Sequence, residues 1–137
     1  MAAQPVTPPR PQYDWAKLVG HSLKQNGPWA TWEKLVEARR AYPEDMLLRG
    51  YAEIVRNTIV RDLLAGPKGL QAAPKLTPDF LADFDRFNLT AQEGYLISLI
   101  DGRITLEMLL KLTPFDNFTT LFNMAKLEHQ KAITIPS

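Results

Sequence analysis

Apolar side chains recur every three to four residues along most of this chain, the spacing that places them on one side of an α-helix. Trp15, Leu18, Val19 and Leu23 share such a face behind Asp14, a residue suited to capping a helix start, and Asn26-Gly27-Pro28 ends the run. A second helix over 29–41 turns Trp29, Trp32, Leu35, Val36 and Tyr42 toward a core, with Glu33, Lys34, Glu37 and Arg40 facing water, and Pro43 stops it. A third, over 44–65, carries Leu47, Leu48, Tyr51, Ile54, Val55, Ile59, Leu63 and Leu64. That band is wider than one seam requires, so the helix is expected to meet two neighbours.

Residues 66–75, rich in Gly, Pro and Ala, read as a linker. Beyond it the helix-start signals are dense. Thr77-Pro78 opens a short helix showing Phe80, Leu81, Phe84 and Phe87. Thr90-Ala91-Gln92-Glu93 is a capping box: the threonine hydroxyl accepts from the Glu93 N–H while the carboxylate reaches back to the N–H of Thr90. The helix so begun buries Tyr95, Leu96, Leu99 and Ile100, and Gly102 closes it. Asp101 is placed to bond the N–H groups of the next turn. Thr105 caps 106–112, and Thr113, Pro114 and Asp116 start a last helix running to His129. Ala132-Ile133-Thr134-Ile135 reads as one strand.

The expected fold is therefore mainly α: an N-terminal helical hairpin or three-helix unit over 14–65, then a small winged-helix-like module over 76–137 with one short C-terminal strand. Residues 1–13, with Pro5, Pro8, Pro9 and Pro11, form a disordered proline-rich arm; a docking site for an SH3-like module is the sharper alternative.

Leu89-Thr90 with Glu93, then Leu96-Ile97-Ser98-Leu99-Ile100-Asp101-Gly102-Arg103 with Thr105, resemble the small helical module attached to PATAN-type bacterial response regulators and to some serine/threonine kinases of deltaproteobacteria. The resemblance spans 89–136, although Gln130-Lys131 stands where that pattern places a glycine. The aliphatic-Asp-Gly turn is more loosely similar to PqqD-like peptide-binding winged helices. Over 29–57, Trp32, Ala38, Tyr42 and Pro43 resemble one tetratricopeptide unit, too little for a solenoid. These resemblances imply a signalling or scaffolding context and recognition of a protein or peptide, with no catalytic residues to carry over.

Composition narrows the chemistry. The 137 residues hold no cysteine, which removes disulfides and thiolate sites and fits a cytoplasmic location. No secretory signal or membrane-spanning run is recognisable. Sixteen basic against fifteen acidic side chains give no global pull toward phosphate or anionic membranes. His21 and His129 lack metal-ligand or base spacing, and Asp79, Asp83 and Asp85 lie among phenylalanines at helical spacing as a solvated face. No phosphate-cradling glycine motif occurs. The expectation is a protein that is not an enzyme and holds no cofactor or metal.

The function so read is a non-catalytic protein-binding adaptor in bacterial signal transduction or in cell-polarity and motility regulation. Trp15, Trp29, Trp32, Tyr51, Phe115, Phe118 and Phe122 are its candidate partner-binding residues, Asp101 and Gly102 its turn-defining pair. The partner is another protein, with a second copy of the chain as an alternative. A DNA-binding regulator is the runner-up, using the helix over 115–129 through Asn117, Thr119, Thr120, Asn123 and Lys126. Nucleic acid is disfavoured, since that helix has one lysine and no arginine in a mildly acidic segment. A third reading is peptide addition along the strand at 132–135.

Overall fold

In a computed structural model of the chain, residues 14–136 are described, and the arm expected over 1–13 lies outside them. The fold is mainly α-helical with one small two-stranded sheet near the C-terminus. The described residues form two compact units, 14–55 and 56–136.

In the first unit, α1 (Trp15–Ala41) starts where the Asp14 carboxylate accepts from the Lys17 N–H at 3.1 Å. Its two stretches meet at Gly27, whose φ of 85° and ψ of 173° are open essentially to glycine alone. The expected stop at Asn26-Gly27-Pro28 is thus a single-residue break, and Pro28 fits because a proline needs no N–H donor in a first turn. Val19 and Leu35 are buried. So are two hydroxyls facing each other across the break: Ser22 Oγ and Thr31 Oγ1 lie 2.7 Å apart, and Thr31 Oγ1 is 2.9 Å from the Gly27 carbonyl. A chain in which Ser22 donates to Thr31 and Thr31 to Gly27 satisfies both buried protons.

The second helix, α2 (Met46–Leu64), begins two residues later than expected because Asp45 is its cap. One Asp45 oxygen accepts from the Leu47 N–H at 2.9 Å, and the other from the Trp15 indole N–H at 3.2 Å. The broad apolar band divides. Leu48, Ala52, Val55 and Ile59 form the buried face, each no more than 2% exposed, whereas Leu47 and Ile54 point to solvent. A band this wide cannot be read as two buried seams when one of its sides is open.

The second unit begins inside α2, so the divide falls between Val55 and Arg56 rather than at 66–75. That stretch is not a linker. It holds a 3-10 turn, Gly69–Gln71, and buries Ala72, whose carbonyl accepts from the Leu106 N–H at 2.9 Å. It ends in β1 (Lys75–Leu76), which pairs antiparallel with β2 (Ile133–Thr134), Lys75 opposite Thr134 and Leu76 opposite Ile133. The expected lone strand therefore has a partner, and Thr77 secures the pair: its N–H donates to the Ala132 carbonyl at 3.0 Å and its hydroxyl to that of Lys131 at 2.7 Å.

Four helices follow, α3 (Pro78–Ala82), α4 (Ala91–Leu99), α5 (Leu106–Leu112) and α6 (Asn117–His129), each opened by a residue whose side chain accepts from a first-turn N–H: Thr77, Thr90, Thr105 and Asp116. Leu96, Leu109, Met124 and Leu127 are fully buried between them, with Leu106 and Ile133. Burying each such side chain is worth roughly 1.5–3 kcal/mol, which is what holds helices this short. Gly102 does not close α4, which ends at Leu99 with Ile100 already extended; its positive φ of 82° serves the turn that follows.

Candidate functional site

The turn at Asp101 is built by one carboxylate. Asp101 Oδ1 accepts from the N–H groups of Arg103 at 2.8 Å and Ile104 at 2.9 Å. Those bonds, Ile104's first, lower its pKa below the ordinary carboxylate value. Gly102 sits beside Lys75, its missing Cβ 3.5 Å from Lys75 Cγ. Asp101 and Gly102 thus shape a loop, the structural task foreseen for the aspartate. An open depression of about 420 Å³ lies there between Lys75, Leu76 and residues 100–103.

The aromatic residues singled out as partner-binding are mostly engaged. Trp15, Trp29, Trp32, Tyr51, Phe115 and Phe118 are half-buried and Phe122 is buried. Trp15 meets the Tyr42 ring edge-on at 6.1 Å, and Phe115 meets Tyr95 at 5.7 Å. The Arg56 guanidinium lies 4.9 Å from the centroids of both Phe118 and Phe122, so these two rings are covered by their own chain. The apolar side chains that do face solvent are others. On α2, Met46 is 70%, Leu47 64% and Ile54 52% exposed, and space is open above Gly50 between them. In the second unit Leu81, Phe84, Tyr95, Met108 and Leu112 are exposed. These were legible only as part of the general apolar excess, because helical periodicity assigns a face but not which of two faces finds a neighbour.

The residues of the DNA reading are also largely committed. Thr119 donates from its hydroxyl to Asp116 at 2.6 Å, and Thr120 is fully buried against the Thr113 hydroxyl at 3.1 Å. Asn123 donates to Gln92 at 3.3 Å. The Lys126 ammonium donates to Glu93 Oε1 at 3.1 Å, leaving Asn117 as the one exposed side chain of the five with no such bond. At the N-terminus of α6, the Thr119 hydroxyl and then its N–H lower the pKa of Asp116.

Glu93 is a charged residue that the sequence did not reveal as internal. Its side chain is 1% exposed, and its carboxylate turns to the Thr90 hydroxyl at 3.1 Å and to Lys126 rather than to the Thr90 N–H expected of the capping box. Its Oε2 is buried without a hydrogen-bond partner. The available signal was Lys126, the lone lysine of α6, within a run whose other members are nearly all buried.

His21, His129, Asp79, Asp83 and Asp85 are all exposed. Among the described residues no group of three or more His, Asp or Glu is arranged to hold a metal, and no helix is long and apolar enough to cross a membrane. At β2, the Ile135 N–H donates to Glu128 Oε2 at 3.2 Å, using a backbone group that an added peptide strand would need. No family model, curated protein or solved structure matches the chain.

Proposed function

We propose that the protein is a non-catalytic adaptor that binds another protein through the solvent-facing side of α2, at Met46, Leu47, Gly50 and Ile54. The observation that carries this reading is the exposure of three large apolar side chains around a glycine on one helix face, while the opposite face is fully buried. An apolar patch rimmed by charge is the signature of an interaction site, and the open space above Gly50 allows a second backbone to come close. The occupant that fits is an amphipathic helix, laid along the stripe with its own charges meeting Arg49 and Glu53, both exposed at its margin. A cytoplasmic signalling or polarity setting, drawn from the resemblance over 89–136, is part of the same proposal.

Two arrays of substitutions test it. Leu47→Asp with Ile54→Asp should abolish recovery of a specific partner from the native cell, whereas Met108→Asp with Leu112→Asp should leave it intact. Equal loss from both arrays, or loss from neither, refutes the assignment to α2. Light scattering across protein concentration identifies a second copy as the occupant if the mass doubles and Ile54→Asp prevents it. The DNA reading is disfavoured because four of its five residues are bonded internally, Lys126 among them. A mobility shift that weakens as salt rises would restore it.

A further inference from the structure

Between the two stretches of α1 the first unit forms a half-open apolar cleft of about 250 Å³, lined by Trp15, Leu18, Val19, Leu35 and Ala38, with Ser22 and Thr31 in its wall. The two hydroxyls are bonded to each other and to the Gly27 carbonyl, so they present little unmet polarity and the interior is apolar. Polarity is confined to the margin, where Lys34 and His21 also line the cavity and both are exposed. Among the described residues neither makes an ion pair or side-chain hydrogen bond. Glu33 and Glu37, the acids beside Lys34 in sequence, do not line the cavity. Leu18, half open to solvent, forms an apolar lip.

An apolar cavity of roughly 150 Å³ already takes a benzene-sized guest. This cleft is larger though half open, and the one fixed charge among its lining residues is the exposed, cationic Lys34. We infer that it is a binding site for a small amphiphilic carboxylate, the apolar body seated between the two stretches of α1 and the carboxylate held at the mouth by the Lys34 ammonium. The charge selects the sign of the head group. A cationic amphiphile would place like charge against Lys34 and lose the contact that an anion gains, while a neutral one would gain only the apolar burial. This site is separate from the α2 stripe, so neither reading depends on the other.

The test is titration of the full chain with octanoate, 1-octanol and octylamine, following the methyl signals of Val19, Leu35 and Ala38 with Ile133, in the second unit, as a reference. Octanoate should give saturable shifts confined to the first three residues and bind at least about tenfold more tightly than octylamine, a difference of about 1.4 kcal/mol. Lys34→Glu, a change at an exposed position, should reverse that order without altering the Ile133 signal. Equal affinity for all three ligands, or an order unmoved by Lys34→Glu, overturns the assignment to carboxylates. Absence of saturable shifts overturns the site itself. Shifts that arise only after removal of residues 1–13 assign the cavity to that segment and overturn the proposal.

Discussion

Replacing Lys126 by Met keeps the apolar stem of the side chain and removes its charge, which isolates what the ammonium does for Glu93. The Glu93 side chain is 1% exposed and that of Lys126 33%, so the carboxylate is internal while its partner sits at the boundary with water. After the substitution the carboxylate keeps only the Thr90 hydroxyl, and its second oxygen has no partner in any case. Breaking a fully buried pair costs about 3–5 kcal/mol. Partial access of water from the Lys126 side softens this, and we expect a loss of about 2–3 kcal/mol. For a unit of this size that corresponds to roughly 10–20 °C in melting temperature. Glu93→Leu combined with Lys126→Met removes both charges and should recover to within about 1 kcal/mol of the parent, since two apolar groups replace a pair that was costly to desolvate. Urea unfolding followed through the methyl signals of Leu96 and Leu127 reads the second unit alone. A loss below about 0.5 kcal/mol for Lys126→Met, or a double variant no more stable than the single one, would refute the view that Glu93 depends on this contact.

Further tests address the turns and the first unit. Gly27→Ala should destabilise by about 2–3 kcal/mol, because only glycine tolerates that combination of angles, and by more than Gly102→Ala at about 1 kcal/mol, where the added methyl meets the Lys75 stem at ordinary contact distance; thermal unfolding of both ranks them, and a reversed order contradicts the backbone argument. Thr31→Val should cost about 1–3 kcal/mol by leaving Ser22 and the Gly27 carbonyl without their bridge, seen as a lower urea midpoint at unchanged slope. Asp101 and Asp116 have folded pKa values below the unfolded one. Their contribution is therefore complete above the unfolded value of about 3.9 and disappears as pH falls through the folded value. Carboxyl carbon titrations should place both midpoints below that value, and Asp101→Asn should diminish the acid-side loss; a midpoint at or above it would count against the N–H contacts.

What could be read from the chain depended on how local its cause is. Asp14, Thr77, Thr90 and Thr105 were legible as helix starts because a cap acts within three residues of itself, whereas the last helix, expected from Thr113-Pro114 onward, begins only after Asp116, Thr113 being the C-terminal cap of α5. β1 was not, since two residues carry no alternation and its partner lies far along the chain. Residues 66–75 looked like a linker by composition, yet small side chains are also what Ala72 needs to lie buried with its carbonyl against Leu106. Two of the aromatic residues nominated as contacts, Phe118 and Phe122, lie against Arg56 of another helix, and nothing in local spacing announces that. The exposed stripe on α2 and the cavity within α1 arise from packing, and their residues were visible while their arrangement was not.

The sheet has a consequence for the order in which the second unit forms. Thr77 bonds to a carbonyl 54 positions later. Closing a loop of that length costs roughly 3.5 kcal/mol in chain entropy before β1 and β2 return anything, whereas α3 to α6 each assemble from neighbours. The clasp should therefore close after the helices have docked. Until residues 132–134 are present, β1 is an unpaired edge beside an unfinished core, and that interval is when nascent chains of this protein are most open to sticking to one another.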